Sequence, residues 1–559
     1  MNLVSLRSRY SSGIEALESR IAPARVILVG APDLPNKADT NYNDLAAADG
    51  GPGFVDTEVG GLAGDPISVA VGPGVVGAAD TFYFRLSKGD VLQLYTGQDQ
   101  REPLLTVNSG NVVAFFVDGN GDHEVQQAEL VSLALGKDAS IILRSGVSGD
   151  IVTNLNEQGT PSLADDTLNM TDLVSTKQGI KGVFIGGGGV TGNILSGGNV
   201  TNVQINGGIQ SILAGSAAAG AAFDFFPGVV GGNGTLTGVA GIVPGPGEMG
   251  SSITGVTLNA DLIGKIQSGD GGAGAKGGIL SQVVVTTDTN GFTLQSGKGG
   301  DAAGAKKNGG DGGGLSGIYV AGRPDGTSNS LISLVAGAGG ASTLDGKGGG
   351  GGGVSLVYVG FQFVGGKPIP TTDVLADDVQ IFSGAGGVGK TGGNAGSIKA
   401  VRVTVAPTAN AAGDEIQVVA GVGGNSNVIV GGKTGAGGSI EDVDLRIATP
   451  TVGVGAPGLG QKIRVEAGDA GVAAGAGGAA KGGSVTKVTL LGADHAILAG
   501  DGSTGKSGGD GGILKTISII EGDGVLAHNV QIEAGRGGAG AAGNGGKGGD
   551  LLDFRIVNG

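Results

Sequence analysis

Along the second half of the chain, apolar and polar positions alternate in short bursts separated by glycine. One burst reads apolar-x-apolar-x-[Ala/Ser]-Gly, as in "FTLQSGKGG" (292–300), "ISLVAGAGG" (332–340), "VQIFSGAGG" (379–387) and "IRVEAGDAG" (463–471). A second follows each glycine-rich stretch and reads G-G-x-apolar-x-x-apolar-x-apolar, as in "GGILSQVVV" (277–285), "GGGVSLVYV" (351–359), "GGSVTKVTL" (482–490) and "GGDLLDFRI" (548–556). Alternation with a period of two and enrichment in β-branched residues predict a strand for each burst. The stretches between them carry no helical period. The glycine of successive first bursts falls at 269, 297, 337, 384, 421, 468, 500 and 535, in steps of 28, 40, 47, 37, 47, 32 and 35 residues. Constant strands with uneven steps describe a fixed scaffold that carries loops of variable length.

The fold class this predicts is all-β: a parallel β-solenoid, or β-helix, with glycine-rich loops, preceded by a small β-sandwich domain. Like strands stack about 4.8 Å apart, so eight or nine rungs make a rod of roughly 40 Å. Alternate apolar residues fill a shared inner layer, and the outward Gln, Ser, Arg, Glu and Thr stay wet. Residues 180–215 repeat faster, near every ten residues, and are expected to form the first coils or a cap. Domain boundaries are placed at 1–35 for an N-terminal targeting or export-type segment, 36–178 for an acidic β-sandwich-like domain, and 179–559 for the solenoid.

Composition changes the picture at one point. Glycine supplies 123 of 559 residues, there is no Cys or Trp, and aromatic residues make up 4%. A chain so poor in bulky side chains builds thin repeated aliphatic layers rather than one large core. Loops such as "GAGGASTLDGKGGGGGG" (337–353) are either mobile or packed side by side as polyproline-II-like strands, whose close approach only glycine permits. Ordered packing is the favoured expectation, because the tracts recur at equivalent places in every rung. In this they resemble the glycine-rich sandwiches of some antifreeze and phage adhesin proteins.

Charge and cysteine count exclude some functions. Zero Cys removes disulfides and thiolate metal sites. A net charge of −16 argues against nucleic acid and anionic lipid as partners. The acidity is concentrated: residues 36–178 hold 20 Asp/Glu against 7 Lys/Arg, and 179–559 hold 27 against 23. No apolar run reaches the length of about 18 residues that a membrane-spanning helix needs.

The N-terminal "IEALESRIAPA" (14–24) is similar to the L-E-P-R-type segment of large exported bacterial surface proteins, with Glu18-Ser19-Arg20 where that pattern has Glu-Pro-Arg. The resemblance covers about a dozen residues and implies export, hence an extracellular or cell-surface location. Residues 79–97, "ADTFYFRLSKGDVLQLYTG", predict a hairpin around "SKGD", and 104–110, 111–117 and 139–146 supply further strands. Over about 80 residues this section resembles the small β-sandwich of the pre-peptidase C-terminal kind.

Within it, "DGNGDHEVQQAE" (118–129) has the spacing of a calcium loop. Asp118, Asn120, Asp122 and Glu129 fall on positions 1, 3, 5 and 12 of the EF-hand pattern, Glu124 on position 7 and Val125 on position 8. An all-oxygen set suits a hard cation. His123 occupies the position where glycine makes the sharp turn, and "VVAFFV" before it reads as strand. The expectation is therefore a single structural Ca²⁺ site rather than a paired sensor; the bland alternative is an acidic surface turn.

Two octets, "GAGGVGKT" (384–391) and "GDGSTGKS" (500–507), satisfy the phosphate-binding pattern G-x-x-x-x-G-K-[ST]. A working P-loop leads into a helix, whereas here glycine and then strand follow both, so they are read as repeat loops. Three histidines, His123, His495 and His528, and scattered carboxylates give no convergent catalytic cluster. The expected function is an exported structural or adhesive surface protein, calcium-stabilised and non-catalytic, similar in architecture to large bacterial adhesins. The alternatives are a polysaccharide-active β-helix lyase or glycosidase, which needs paired carboxylates in a groove, and remotely a nucleotide binder. Ice binding through Thr-x-Thr ladders has no such ladders to rest on. Expected partners are surface glycans or further copies stacking through the solenoid ends. The final strand motif stops three residues before the last residue, which suggests either a fragment or end-to-end stacking.

Overall fold

The computed structural model describes the chain with side chains over most of residues 246–557. The exceptions are stretches around 259–264, 287–290, 322–330, 362–377, 406–414, 448–461 and 522–528 and a few shorter breaks. Before residue 246 it describes mainly strand backbones. Among the described residues there is no α-helix. Two sheets of 17 and 15 strands run the length of the rod, and from Ile180 onward every pairing within them is parallel. The fold is a parallel β-solenoid.

Each rung contributes one strand to each sheet. The second bursts form one sheet, with Ile253–Leu258, Leu280–Thr287, Leu315–Gly322 and onward to Leu551–Asn558. The first bursts form the other, with Gly291–Gln295, Leu331–Val335, Asp378–Phe382 and onward to Val530–Glu533. Like residues stack in register: Phe292 on Ile332, Leu294 on Leu334, and Ile253 on Leu280, Val256 on Val283. The fast-repeating segment supplies ordinary coils, since Ile180–Ile185 and Val200–Ile205 join one sheet and Val190–Ser196 and Ile209–Ala214 the other. The rod therefore has more rungs than the eight or nine expected from the longer repeat alone. Antiparallel strands of the front section continue both sheets: Leu105–Asn108 pairs with Ala139–Leu143, which pairs with Ile180–Ile185.

The core lies between the sheets. Its side chains are Ile, Val and Leu at zero to a few per cent exposure, as at Val256, Val283, Ile318, Val357 and Val401 from one sheet and Leu294, Leu334, Ile381 and Val418 from the other. Full burial of one such side chain contributes roughly 1.5–3 kcal/mol, and stacking identical columns lets every rung cover its neighbours.

The apolar-x-x-apolar spacing of the second burst departs from strict alternation, and the backbone absorbs the extra residue. The second x is left-handed in rung after rung: φ is 54° at Gln282, 55° at Leu356, 55° at Ala400, 61° at Asp442, 54° at Lys487, 56° at Thr516 and 53° at Asp553. Gly255 and Gly317 hold the same position. The residue is skipped in the register, so Ser281 pairs with Thr254 and Val283 with Val256 while Gln282 has no strand partner. This bulge returns both flanking apolar residues to the core, at a cost of about 1–2 kcal/mol per non-glycine residue.

The glycine tracts are ordered and form a second packed body. In each rung the tract runs out from the end of one sheet, turns, and runs back to the start of the other. Amide-to-carbonyl bonds link the runs in a zigzag: Gly297 to Gly278 (3.0 Å), Gly313 to Gly297 (2.8 Å), Gly337 to Gly313 (3.0 Å) and Gly352 to Gly337 (2.8 Å). A second zigzag lies three residues along: Gly310 to Gly300 (2.8 Å), Gly340 to Gly310 (2.8 Å) and Gly349 to Gly340 (2.8 Å). The three-residue period is that of polyproline II. Further bonds stack outgoing runs on outgoing runs, as from Gly299 to Ala338, and returning runs on returning runs, as from Gly312 to Gly350. Every run reads G-x-G-G or a near copy, because only x points outward. A β-carbon at Gly337 would overlap the carbonyl oxygen of Gly297 and lie 2.6 Å from its carbon.

Candidate functional site

The two phosphate-loop octets lie in these outgoing runs. A P-loop works by pointing several free amides at a phosphate. Here Gly384, Gly386, Gly387, Gly389 and Lys390 each donate to a backbone carbonyl of a neighbouring run, at 2.8–3.1 Å. In the second octet Gly500, Gly502, Ser503, Gly505 and Lys506 do the same, and the Asp501 amide donates to the Asp469 carboxylate at 2.6 Å. Lys390 pairs with Asp345 at 3.4 Å. The pattern match arises from the G-x-G-G rule of the layer, and most of its amides, including those of Lys390 and Lys506, are committed to the scaffold.

The calcium-loop residues Asp118, Asn120, Asp122, Glu124 and Glu129 lie outside the described residues. The strands on either side, Val112–Val117 and Leu130–Leu135, pair antiparallel. Among the described residues no group of three or more His, Asp or Glu is arranged to hold a metal. His123 and His528 also lie outside them. His495, 3% exposed, occupies the inner column between Ile463 and Val530 and is part of the core.

The densest polar chemistry sits on the outer face of the bulged sheet. A shallow groove of about 210 Å³ is lined by Arg402, Asp442, Asp444, Lys487, Asp553 and Arg555, with hydroxyls from Thr489, Thr516 and Ser518. The bulge creates it, because the left-handed residue and the residue two further on both project outward. Arg402 anchors one end. Its guanidinium donates to the carbonyl oxygens of Asp442 (2.6 Å) and Val401 (3.0 Å) and to Asp442 Oδ1 (2.7 Å). Arg446 grips Asp444 through two bonds of 2.8 Å, and this pairing raises its own pKa.

Beside the groove, Glu441 lies between Lys399 (3.2 Å) and Lys487 (3.4 Å). The hydrogen bond from Lys399 is the main cause that holds its carboxyl below the usual carboxylate value. Further along the face Tyr319 stacks on Tyr358 with centroids 5.3 Å apart, and Phe361 meets Tyr358 edge-on. Burial, then the neighbouring Tyr358, raises the Tyr319 phenol. Sequence reasoning did not single out this face. Its one signal is the doubled x of the second burst, which marks where two successive outward side chains occur.

Among the described residues no helix is long and apolar enough to cross a membrane. No protein-family model, curated protein or solved structure matches the chain.

Proposed function

We propose that this chain is an exported, non-catalytic structural or adhesive protein of the cell surface, stiffened by calcium in its acidic front section. The observation that supports this reading is the commitment of the glycine tracts. On a solenoid that builds a cleft, the segments between strands are free to carry catalytic groups. Here the glycine tracts, one of the two connections in each rung, are hydrogen-bonded into a second layer that leaves only the x side chains outward. Such a rod presents a long, rigid, regular surface suited to spacing and contact. Its partners are surface glycans or further copies of the chain, not nucleic acid. The last rung described exposes Leu551, Ile556 and Val557 at 40–49%, a surface that another rung or copy would cover.

The location is tested by protease treatment of intact native cells, with detection of fragments from residues 180–559. Cleavage without lysis is the expected result, and protection until lysis overturns the surface reading. Calcium is tested by calorimetric titration of the intact, chelator-treated chain. One site is expected, lost in Asp118→Asn with Glu129→Gln; heat unchanged by the double substitution removes the calcium assignment.

A second reading, a polysaccharide-active enzyme, is favoured by the groove that holds Asp442, Asp444 and Asp553 beside three basic side chains. Depolymerisation of neutral or uronate glycans, abolished by Asp444→Asn or Asp553→Asn, would establish it over the structural role.

A further inference from the structure

The outgoing glycine layer presents a flat outer face whose side chains form straight rows across eight rungs. One row holds the x residues. Asp270 and Lys298 stand at one end, Ala338, Ala385 and Val422 in the centre, and Asp469, Asp501 and Arg536 at the other end. A second row lies three residues along, about 9 Å away by the polyproline II rise, and its centre holds Ala341, Val388, Asn425 and Val472, with Asp301 and Thr504 on either side. Val388, Val422 and Val472 are 39%, 51% and 62% exposed, so the centre of the face is a patch of small, mainly apolar residues with Asn425 among them, and charges lie only towards its ends.

We infer that this face is a homodimer interface in which two copies pack with their rods antiparallel. A two-fold axis lying in the face and perpendicular to the rod maps each row onto itself with the rung order reversed. In the first row Asp270 then faces Arg536, Lys298 faces Asp501, Ala338 faces Asp469 and Ala385 faces Val422; in the second, Ala273 faces Ala539, Asp301 faces Thr504, Ala341 faces Val472 and Val388 faces Asn425. Each of these contacts occurs twice. Both cations of the first row meet a carboxylate, Asp469 and Asp301 lie against Ala338 and Thr504, and the centre packs as Ala385 on Val422, Ala341 on Val472 and Val388 on Asn425. Parallel rods do worse, because rotation about the rod direction exchanges the rows: Lys298 meets Asp301, but Arg536 faces Ala539, and Asp270, Asp469 and Asp501 face Ala273, Val472 and Thr504.

The side chains are disposed for it. Lys298 and Arg536 form no ion pair within the described residues. Asp501 uses Oδ1 for the Arg536 amide at 2.6 Å, an in-layer bond that holds the carboxylate in place. Seven rung steps of about 4.8 Å give a face about 34 Å long. Two rows make it about 18 Å wide, so on the order of 1,200 Å² is buried in total, the lower bound of stable specific interfaces.

Sedimentation velocity of the full chain over about 1–100 µM, in ~150 mM salt, tests the assignment, with circular dichroism reporting that each variant is folded. A reversible monomer–dimer equilibrium is expected. Val422→Glu sets a carboxylate against Ala385 and weakens the dimer about 100-fold. Val472→Glu makes the same test from the second row if the first variant does not fold. Lys298→Asp weakens it about 10- to 100-fold by placing like charges together. Adding Asp501→Lys recovers affinity to within a few-fold, because the symmetry swaps both pairs at once. Rungs with alanine at x lack the carboxylate bond that this change removes, so the layer tolerates it. A chain that stays monomeric at every concentration, self-association indifferent to Val422→Glu, or a double variant no tighter than Lys298→Asp overturns the assignment.

Discussion

Two glycine-to-alanine changes in one tract isolate what holds the glycine layer together. Gly337 faces inward. A β-carbon there overlaps the Gly297 carbonyl, 2.6 Å from its carbon, and lies 3.0 Å from the Gly313 nitrogen. Relief requires the runs to separate by roughly 1 Å or more, the difference between that approach and ordinary contact. The bonds that join them at this point are Gly337 to Gly313 (3.0 Å) and Gly352 to Gly337 (2.8 Å), with the Ser296 hydroxyl accepting from Gly337 at 2.9 Å. Each weakened bond costs about 1 kcal/mol, and each buried group left unsatisfied costs 1–3 kcal/mol. Gly337→Ala is therefore expected to destabilise by about 3–5 kcal/mol.

Gly350 faces outward, where the nearest atom to an added β-carbon is Asp311 Oδ1 at 3.4 Å. Alanine there keeps every backbone bond and restricts the unfolded chain, so Gly350→Ala is expected to be neutral or to stabilise by up to about 1 kcal/mol. Urea unfolding followed by circular dichroism reads the pair, and hydrogen exchange over residues 336–353 locates the loss. Repeat proteins unfold in parts, so the local exchange carries the decision. Equal stability of the two variants within about 0.5 kcal/mol would refute the close-packed layer.

The bulge column makes a second case: Thr516 is β-branched at φ 56°, and Thr516→Asn, which suits the left-handed region better, is expected to stabilise by about 0.5–1 kcal/mol in the same unfolding assay. A loss instead would mean that the hydroxyl makes a contact outweighing the backbone strain. Acid should weaken the rod through Glu441, lowered mainly by its bond from Lys399, and Asp510, lowered mainly by the Lys547 amide and then by Lys481. Both have folded values below their unfolded ones, so their contribution is full above about pH 5 and is lost as pH falls through the lowered values. Melting temperature against pH should therefore fall less steeply on the acid side in Glu441→Gln, and an unchanged slope contradicts this.

The fold was legible in the sequence because a solenoid writes its contacts locally. Ile332, Leu334 and Ala336 repeat the pattern of Val379, Ile381 and Ser383, and in a rod whose rungs touch only their neighbours, repetition along the chain is repetition in space. The [Ala/Ser] before each glycine was legible as a strand end, but its reason lies in three dimensions. Buried Ser296 donates to the Gly313 carbonyl at 2.6 Å and accepts from Gly337 of the next rung, joining the strand core to the glycine layer. The face with Arg402, Asp442 and Lys487 was not legible. These residues lie about 40 positions apart in successive rungs and meet only because each bulge stacks on the last.

By itself, then, the sequence determined the all-β class, the two strands per rung and their inward residues, through period-two alternation and a repeat that needs no distant partner. It also specified the G-x-G-G pattern of the runs and its near copies, without revealing which contacts demand it. Only the tertiary structure decided that the runs pack as a hydrogen-bonded layer, that the extra residue of the second burst becomes a left-handed bulge, and that most amides of both phosphate-loop octets are already occupied. The physical reason is common to all three. They depend on which groups lie one rung away, and the uneven loop lengths hide that distance until the register of the sheets is fixed.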